Sequence, residues 1–335
     1  MLNAGGNEAA LSDFFSLKGD ILTLPESPPP LLPTPIETLR QLPVDFRFLA
    51  RRVWEEYGPR FLTRDVTWAA WCPIVSSPYK TQYRDFYVDK ASLSAILALC
   101  REHKTTITAL MNGLALVSFS SRLDSKTAPG FQSSTMIDHR RNLPPASSPP
   151  PDVPWGENER AVGNYVTQLM HRYEPGLVAG IRSKLLLPGT KGGDLSADLV
   201  HELWAEAARN RQQIVDKLQN CQHNDLIGLF KWVNVRDWQE TMREMAKKTR
   251  QFSWIVTNIG VMMGGSDDDQ KWSMTRAQFG LSAEIPAAAI EFSPVSVAGQ
   301  GMSVGASWPD CALDSAFGEG VMGDLERWLG QLVRG

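Results

Sequence analysis

Cysteine is scarce in this chain of 335 residues, which contains only Cys72, Cys100, Cys221 and Cys311. None of them lies in a Cys-x-x-Cys pair, and no cysteine–histidine cluster has zinc-finger spacing. Small domains that depend on disulfides have cysteines at high density. The pattern therefore indicates reduced, intracellular thiols and predicts no structural metal.

A surplus of charge of one sign is also lacking. The chain has 34 Lys and Arg against 37 Asp and Glu, a net charge of −3. A protein that binds nucleic acid by neutralising phosphates has an excess of positive charge. We therefore expect no nucleic-acid partner.

Long hydrophobic runs are absent, and no apolar stretch reaches the 18 or more residues of a membrane span. The first 20 residues are interrupted by Asn3, Glu8 and Asp13, unlike a signal peptide. These features predict a cytoplasmic protein without a membrane span.

Several catalytic motifs are missing or lie in an unsuitable predicted element. The sequence contains no phosphate-binding P-loop and no His-Glu-x-x-His. The patterns Gly-x-Ser-x-Gly at Gly301–Gly305 and Gly-x-Gly-x-x-Gly at Gly318–Gly323 occur, but the first overlaps a predicted hairpin strand and the second lies in a predicted helix. Neither lies at the strand-to-helix turn that a nucleophile elbow or a dinucleotide-binding loop requires. A serine hydrolase, a P-loop enzyme, a Rossmann oxidoreductase and a zinc peptidase of that type are disfavoured.

Hydrophobic residues, in contrast, make up 43% of the chain, which is enough for a sizeable core. Prolines cluster between Pro25 and Pro35 and between Pro144 and Pro154, with six in each segment. Because proline fixes φ and lacks an amide donor, both segments are predicted to be extended connectors.

The hydrophobic periodicity predicts a mixed α and β protein in which long helices pack against a sheet. We expect helices at residues 7–18, 36–54 and 108–120, from Ser196 to about residue 218, and around residues 238–246 and 317–332. A further helix is expected to follow an N-cap at Asp89. We expect strands at residues 65–71, 83–88, 135–138, 162–171, 253–259, 287–297 and 302–308, the last two forming a hairpin.

The best polar cluster is Asp138-His139-Arg140-Arg141, after a predicted strand. The arginines could bind a phosphate or carboxylate, or they could brace a loop or pair with Asp138. The other histidines are interpreted as structural or solvated, since none has a partner at metal-ligand spacing. The triplet Asp267–Asp269 could bind a divalent ion, but a solvated loop tip is the favoured interpretation.

Six segments, in order along the chain, resemble the fungal alcohol acetyltransferases. These belong to the CoA-dependent acyltransferase superfamily, with chloramphenicol acetyltransferase, the plant BAHD enzymes and condensation domains. The segments are Leu-Pro-Thr-Pro-Ile-Glu-Thr-Leu at 32–39, Leu99–Leu110, Ile137–Arg140, Val162–Tyr165, Thr257–Gly260 and Val295–Val304.

The resemblance implies an α/β (α+β) fold with the two lobes of chloramphenicol acetyltransferase, the N-terminal lobe being incomplete. Residues 1–80 would be a remnant of that lobe with a proline-rich connector, and residues 81–335 the C-terminal lobe. The family's His-x-x-x-Asp signature, whose histidine is the general base, is absent. Met1-Leu2-Asn3 resembles the helix that follows this signature, so we expect the chain to start just downstream of it.

The implied activity is transfer of an acyl group, expected to be acetyl, from acyl-CoA to an alcohol hydroxyl, in fungal secondary metabolism. Acetyl-CoA would be a co-substrate, without a metal or a permanently bound cofactor. Asn258 and Gly260 would lie near the acyl-CoA tunnel, Arg140 would brace a loop facing it, and His139 is a candidate replacement base.

Two alternatives from other classes stay open. The first is a catalytically inactive homologue that acts as a binding or scaffold protein. The second is a condensation-like domain that forms amides. In either case a protein partner, or a second copy of the chain, could cover the incomplete lobe and its exposed sheet edge and apolar surface.

Overall fold

The structure is a computed structural model of the chain. It describes residues 16–18, 21–23, 36, 42–63, 65–75, 80–140, 164–186, 193–219, 223–231, 237–264, 273–282 and 286–334. The chain divides into two compact units. One combines Met1–Gln41 with Asp138–Tyr165, and the other combines Leu42–Ile137 with Val166–Gly335.

The first unit contains a short antiparallel pair of strands, β1 (Ser16–Lys18) and β2 (Ile21–Thr23), in which Leu17 pairs with Leu22. The helix predicted at residues 7–18 is therefore wrong at its C-terminal end, where the chain pairs with β2. Residues 7–15 and the proline clusters at 25–35 and 144–154 lie outside the described residues.

The second unit contains the helices and the main sheet. Its helices are α1 (Phe46–Tyr57), α2 (Arg60–Thr63), α3 (Lys90–Glu102), α4 (Ile107–Arg122), α5 (Pro175–Leu185), α6 (Ala197–Gln219), α7 (Trp238–Ala246) and α8 (Ser315–Arg334), with a 3-10 turn at Ile227–Lys231. Its strands are β3 (Thr81–Val88), β4 (Phe131–Asp138, whose last residue belongs to the first unit), β5 (Val166–Tyr173), β6 (Trp254–Val256), β7 (Gly260–Met262), β8 (Ile290–Val297) and β9 (Met302–Pro309).

These strands form one sheet of mixed direction in the order β3-β9-β8-β6-β4-β5, and β7 pairs separately with β8. The strands β4, β6 and β8 run parallel, with Ser133 opposite Trp254 and Trp254 opposite Ile290. The strands β8 and β9 form the predicted hairpin. The carboxyl ends of β4, β6 and β8 therefore lie at one edge of the sheet.

Helix α4 runs through the main core. Every residue from Ala109 to Ser120 is buried, which fits the nearly continuous apolar sequence of this segment. The Phe119 ring packs edge-on against Phe131 and Trp71 and lies 5.1 Å from Trp254. The amphipathic helices α6 and α8 add the apolar faces that their spacing predicts, including Leu203 and Leu325.

The N-termini of the long helices begin as the sequence indicates. The Asp89 side chain accepts hydrogen bonds from the backbone amides of Ala91 and Ser92, and it caps α3. The amide of Leu199 donates to the Ser196 hydroxyl at 3.3 Å at the start of α6. The predicted helix at 108–120 extends to Ile107–Arg122 in the structure.

Three predicted elements differ from the structure. Residues 65–71 form turns instead of a strand, because the Asp65 carboxylate accepts from the Thr67 amide and hydroxyl, each at 2.8 Å. Of the helix predicted from Ile36 to Trp54, Ile36 is helical and residues 42–45 are not; a helix begins at Phe46, three residues after Pro43, and continues to Tyr57. The strand predicted at 253–259 ends at Val256, where the chain turns toward Gly260.

Within the described ranges, no helix is long and apolar enough to cross a membrane.

Candidate functional site

The predicted site residues Asn258 and Gly260 lie in the turn between β6 and β7. The Asn258 amide nitrogen donates to the Thr108 hydroxyl at 2.8 Å, and its carbonyl oxygen accepts from the Gly260 backbone amide at 2.7 Å. One side chain therefore joins the first turn of α4 to the turn that follows β6. The two residues that the sequence grouped are brought together.

The fold explains this arrangement. The strand β6 runs parallel to both of its neighbours, and the Asn258–Thr108 hydrogen bond shows that the chain just after its carboxyl end lies beside the start of α4. Thr106 caps α4 by accepting from the Ala109 amide at 3.4 Å, and the helix begins at Ile107. A helix N-terminus carries partial positive charge, so the setting of Thr108 and Asn258 favours developing negative charge.

Gly260 is required for its backbone conformation. Its φ is +88°, a value that other residues rarely adopt, and a β-carbon added there would meet no atom of the described residues within 4 Å. Its carbonyl accepts from the Ser296 hydroxyl at 3.2 Å. The turn is thus fixed by hydrogen bonds on both sides of the glycine, and none of the described residues fills the space beside it.

A buried polar network lies behind this turn, and sequence reasoning missed it. The Asn112 carbonyl oxygen accepts from the Ser133 hydroxyl at 2.8 Å and from the Trp254 indole at 3.0 Å. The Asn112 amide donates to Thr135 at 3.0 Å and to the Thr108 carbonyl at 3.1 Å. An asparagine inside the apolar run Leu110–Val117 was the available signal, because a buried amide requires partners.

His171 continues the same network. Its Nε2 lies 3.0 Å from the Thr135 hydroxyl, and its Nδ1 lies 2.6 Å from the Gln213 side-chain oxygen. Burial lowers the pKa of His171 to about 4, so the ring is neutral near pH 7. Both ring nitrogens are engaged, and His171 therefore acts as a structural residue, as the sequence indicated.

His139 and Arg140 follow β4 and belong to the first unit. The His139 amide donates to the Tyr165 carbonyl at 2.8 Å, and the His139 side chain is buried. The Arg140 guanidinium lies 2.9 Å from the Asp138 carboxylate and 5.5 Å from the centre of the Tyr165 ring. Of the two interpretations left open, the structure contains the pairing with Asp138.

No cluster of histidine, cysteine, aspartate or glutamate suited to a metal ion occurs among the residues that the structure describes. Cys72, Cys100 and Cys311 are free thiols, whereas Cys221 and Asp267–Asp269 lie outside the described ranges. Burial raises the pKa of the Cys100 thiol to about 11, so it is unreactive at neutral pH.

Comparison with known proteins supports the resemblance. No protein-family model matches the chain. A probable alcohol acetyltransferase of Fusarium pseudograminearum is 24% identical over 298 residues, which are 88% of this chain and 55% of that protein. The chain therefore spans about half the length of this curated relative.

A solved structure has the same fold. The trichothecene 15-O-acetyltransferase of Fusarium sporotrichioides matches with a TM-score of 0.58 and 12% identity, over 90% of this chain and 54% of that one. This likeness confirms the predicted chloramphenicol-acetyltransferase-like α/β fold. The chain is thus similar in sequence to a probable fungal alcohol acetyltransferase and similar in fold to a solved O-acetyltransferase.

Proposed function

We propose that this chain is part of an acyl-CoA:alcohol O-acyltransferase that transfers an acetyl group from acetyl-CoA to a small alcohol or hydroxylated metabolite. The supporting observation is its sequence relation, over 298 residues, to a probable alcohol acetyltransferase. We assign residues 81–335 to the C-terminal lobe and residues 1–80 to the remainder of the first. A cytoplasmic role in forming esters of secondary metabolites is part of the same proposal.

The reaction needs a base and a site for negative charge. The base removes the proton from the alcohol as its oxygen attacks the thioester carbonyl carbon. The tetrahedral oxyanion then collapses, breaking the carbon–sulfur bond, and the CoA thiolate receives the proton from the base. Hydrogen-bond donors fixed beforehand stabilise the oxyanion.

We assign Asn258, Gly260 and Thr108 to the positioning of acyl-CoA. Their hydrogen bonds hold the β6–β7 turn against the start of α4, and the open side of Gly260 leaves room for a ligand. Arg140 is proposed to keep the end of β4 in place through Asp138.

The general base has two candidate sources. None of the five histidines is followed by aspartate four residues later. His171 is excluded because both of its ring nitrogens are held in the core. His139 is the candidate base in this chain, and the alternative is a histidine from a segment outside these 335 residues.

Release of free thiol from acetyl-CoA, measured with a panel of alcohols, tests the activity. We expect alcohol-dependent release that His139→Ala abolishes. Unchanged thiol release by His139→Ala would exclude His139 as the general base and would mean that another group acts as the base. No release from the wild-type chain, with acetyl-CoA nevertheless bound, would contradict activity of this chain by itself.

Gly260→Ala tests the positioning role, with Gly299→Ala as the matched control. Both glycines have positive φ, +88° and +72°, and open space at the β-carbon, and Gly299 lies in the β8–β9 turn. Both variants should lose about 1 kcal/mol of stability. Only Gly260→Ala should also weaken acetyl-CoA binding; equal binding by the two variants would contradict the assignment.

A second candidate function is a non-catalytic binding or scaffold protein. It is favoured by the absence of His-x-x-x-Asp from these 335 residues and by the exposed aromatic side chains of α1, such as Phe46 and Tyr57. Binding of a protein partner in the absence of any alcohol-dependent thiol release would support it.

A further inference from the structure

A basic groove in the second unit has no role in the function proposed above. It has a volume of about 440 Å³ and lies between α1, the strand β5 and the end of α6. Small-molecule sites typically have volumes of roughly 300–1,000 Å³. The groove is therefore large enough for a small ligand.

Its charged lining is entirely cationic among the described residues: Arg51 and Arg52 from α1, Arg172 from β5 and Lys217 from α6. Three elements far apart in sequence bring these groups together. These cations therefore do not form the solvated face of a single helix, because they come from three elements and line one groove.

Nearby carboxylates compensate these cations unevenly. Glu55 lies 2.9 Å from Arg51 Nε and 2.7 Å from Arg52 Nη1, and it is the nearest carboxylate to both guanidinium groups. Asp65 pairs with Arg172 at 3.2 Å, and the buried Asp225 pairs with Lys217 at 2.7 Å. Glu55 also lies 3.7 Å from Arg172, and Asp45 accepts a hydrogen bond from the lining residue Asn224 at 3.0 Å. Arg51 and Arg52 therefore share one carboxylate, Glu55, within 4 Å among the described residues.

Arg52 is the group that most needs an anion. Its side chain is only 22% exposed, and its Nε atom is buried with no hydrogen-bond partner among the described residues. Burial lowers the pKa of Arg52, and Arg51 and Arg172 act in the same direction. A guanidinium that is partly buried, close to other cations and short of one acceptor gains most from a bound carboxylate.

The rest of the lining is apolar or neutral. The Phe48 ring lies 5.1 Å from the Arg52 guanidinium carbon, and Leu169, Met170 and Leu226 complete the apolar surface. A small charged ligand without an apolar part would leave this apolar surface exposed to water. A ligand with a short hydrocarbon tail would bury this surface, which is favourable.

We propose that this groove binds a small organic monoanion, a carboxylate with a short apolar tail, whose head is held by Arg51 and Arg52. Its single negative charge supplies a second carboxylate to Arg51 and Arg52, which otherwise share Glu55. The tail lies against Phe48, Met170 and Leu226. The site is argued from the groove alone and does not depend on acyl transfer.

Isothermal titration calorimetry of the full chain with sodium octanoate at low ionic strength tests the site. We expect saturable binding of one octanoate, weakened by added salt. Acetate has the head without the tail, and octanol has a similar tail without the charge; each should bind at least 10-fold more weakly. Octanol binding as tightly as octanoate would overturn the proposal.

Arg52→Gln removes the central guanidinium and should weaken octanoate binding by about 10-fold or more, the usual effect of losing a charged hydrogen bond. Arg47→Gln is the matched control, because Arg47 is exposed on the same helix and does not line the groove. If Arg52→Gln does not fold, Arg51→Gln replaces it, since the Arg51 side chain is 59% exposed. Binding by these variants as tight as that of Arg47→Gln, or no saturable binding by the wild type, would refute the site.

Discussion

Helices α4 and α7 differ in how the fold uses their apolar residues. In α4, every side chain from Ala109 to Ser120 is buried, including the polar Asn112. In α7, Trp238, Met242 and Met245 recur at helical spacing, yet no residue of the helix is buried and Trp238 is 68% exposed. Helical periodicity identifies an apolar face, but it does not say whether anything packs against that face.

Helix α1 resembles α7 in this respect. It has no buried residue, and Phe46 and Tyr57 are each 81% exposed. Exposed aromatic side chains therefore occur on two described helices of the second unit. Removing the same type of side chain should therefore lower the free energy of unfolding more in α4 than in α1 or α7.

The largest expected difference comes from one substitution made in two places. Phe119→Ala should lower the free energy of unfolding by about 3–5 kcal/mol, because it leaves a cavity among Trp71, Phe131 and Trp254. Phe46→Ala should change it by less than about 0.5 kcal/mol. Urea unfolding followed by far-ultraviolet circular dichroism measures both values. A similar loss in the two variants would show that α1 is packed in solution.

The next prediction compares two amides. Asn112→Leu should cost about 2–3 kcal/mol, because Ser133 and the Trp254 indole would lose their buried hydrogen-bond partner. Gln239→Leu, an exposed change on α7, should cost less than about 0.5 kcal/mol. Denaturant midpoints of the two variants provide the test, and a neutral Asn112→Leu would mean that the network does not stabilise the core.

The third prediction concerns pH. The pKa of His171 is about 4 in the folded chain and ordinarily 6.5, so the unfolded state binds a proton more readily. The contribution of neutral His171 to the free energy of unfolding is therefore complete above about pH 6.5, and it is lost as the pH falls toward 4. Between pH 7 and pH 5, His171 should account for a loss of about 2 kcal/mol.

Unfolding free energies at pH 5, 6 and 7 check this sign and size. His201→Gln, an exposed change on α6, should retain the full pH dependence. His171→Gln should show a smaller slope over the same range, whatever its stability at pH 7. Equal slopes in the two variants would refute the assignment of this loss to His171.

The smallest effect is expected at Trp238. Trp238→Gln should change stability by less than about 0.5 kcal/mol, because the ring is already largely in water. It should also reduce the fluorescence of a bound apolar dye, since it removes exposed aromatic surface. A loss above about 1 kcal/mol would show that the indole packs against the protein in solution.

Much of the fold could be predicted from local chemistry. The capping aspartate of α3, the apolar run of α4, and the β8–β9 hairpin are all encoded within a few residues of one another. The strand predicted at residues 65–71 was wrong. The Asp65 carboxylate accepts a hydrogen bond from the nearby Thr67 amide, which holds these residues in turns and competes with strand pairing.

The candidate site could be predicted only in part. Asn258 and Gly260 are two residues apart, so their association was visible in the sequence through the family resemblance. Their link to Thr108 spans 150 residues and depends on β6 ending beside the start of α4. The network of Asn112, Thr135 and His171 likewise joins α4 to two strands, and no local pattern predicts it.

By itself, the sequence determined most helix and strand types and the apolar faces, and it carried the family resemblance, because these depend on spacing, capping and side-chain type. Only the tertiary structure decided which apolar faces are buried, which polar groups find partners and where cations converge. Arg51, Arg172 and Lys217 share one groove because a helix, a strand and a second helix meet there. Burial and electrostatic interaction depend on distance in space, and distance along the chain does not fix them.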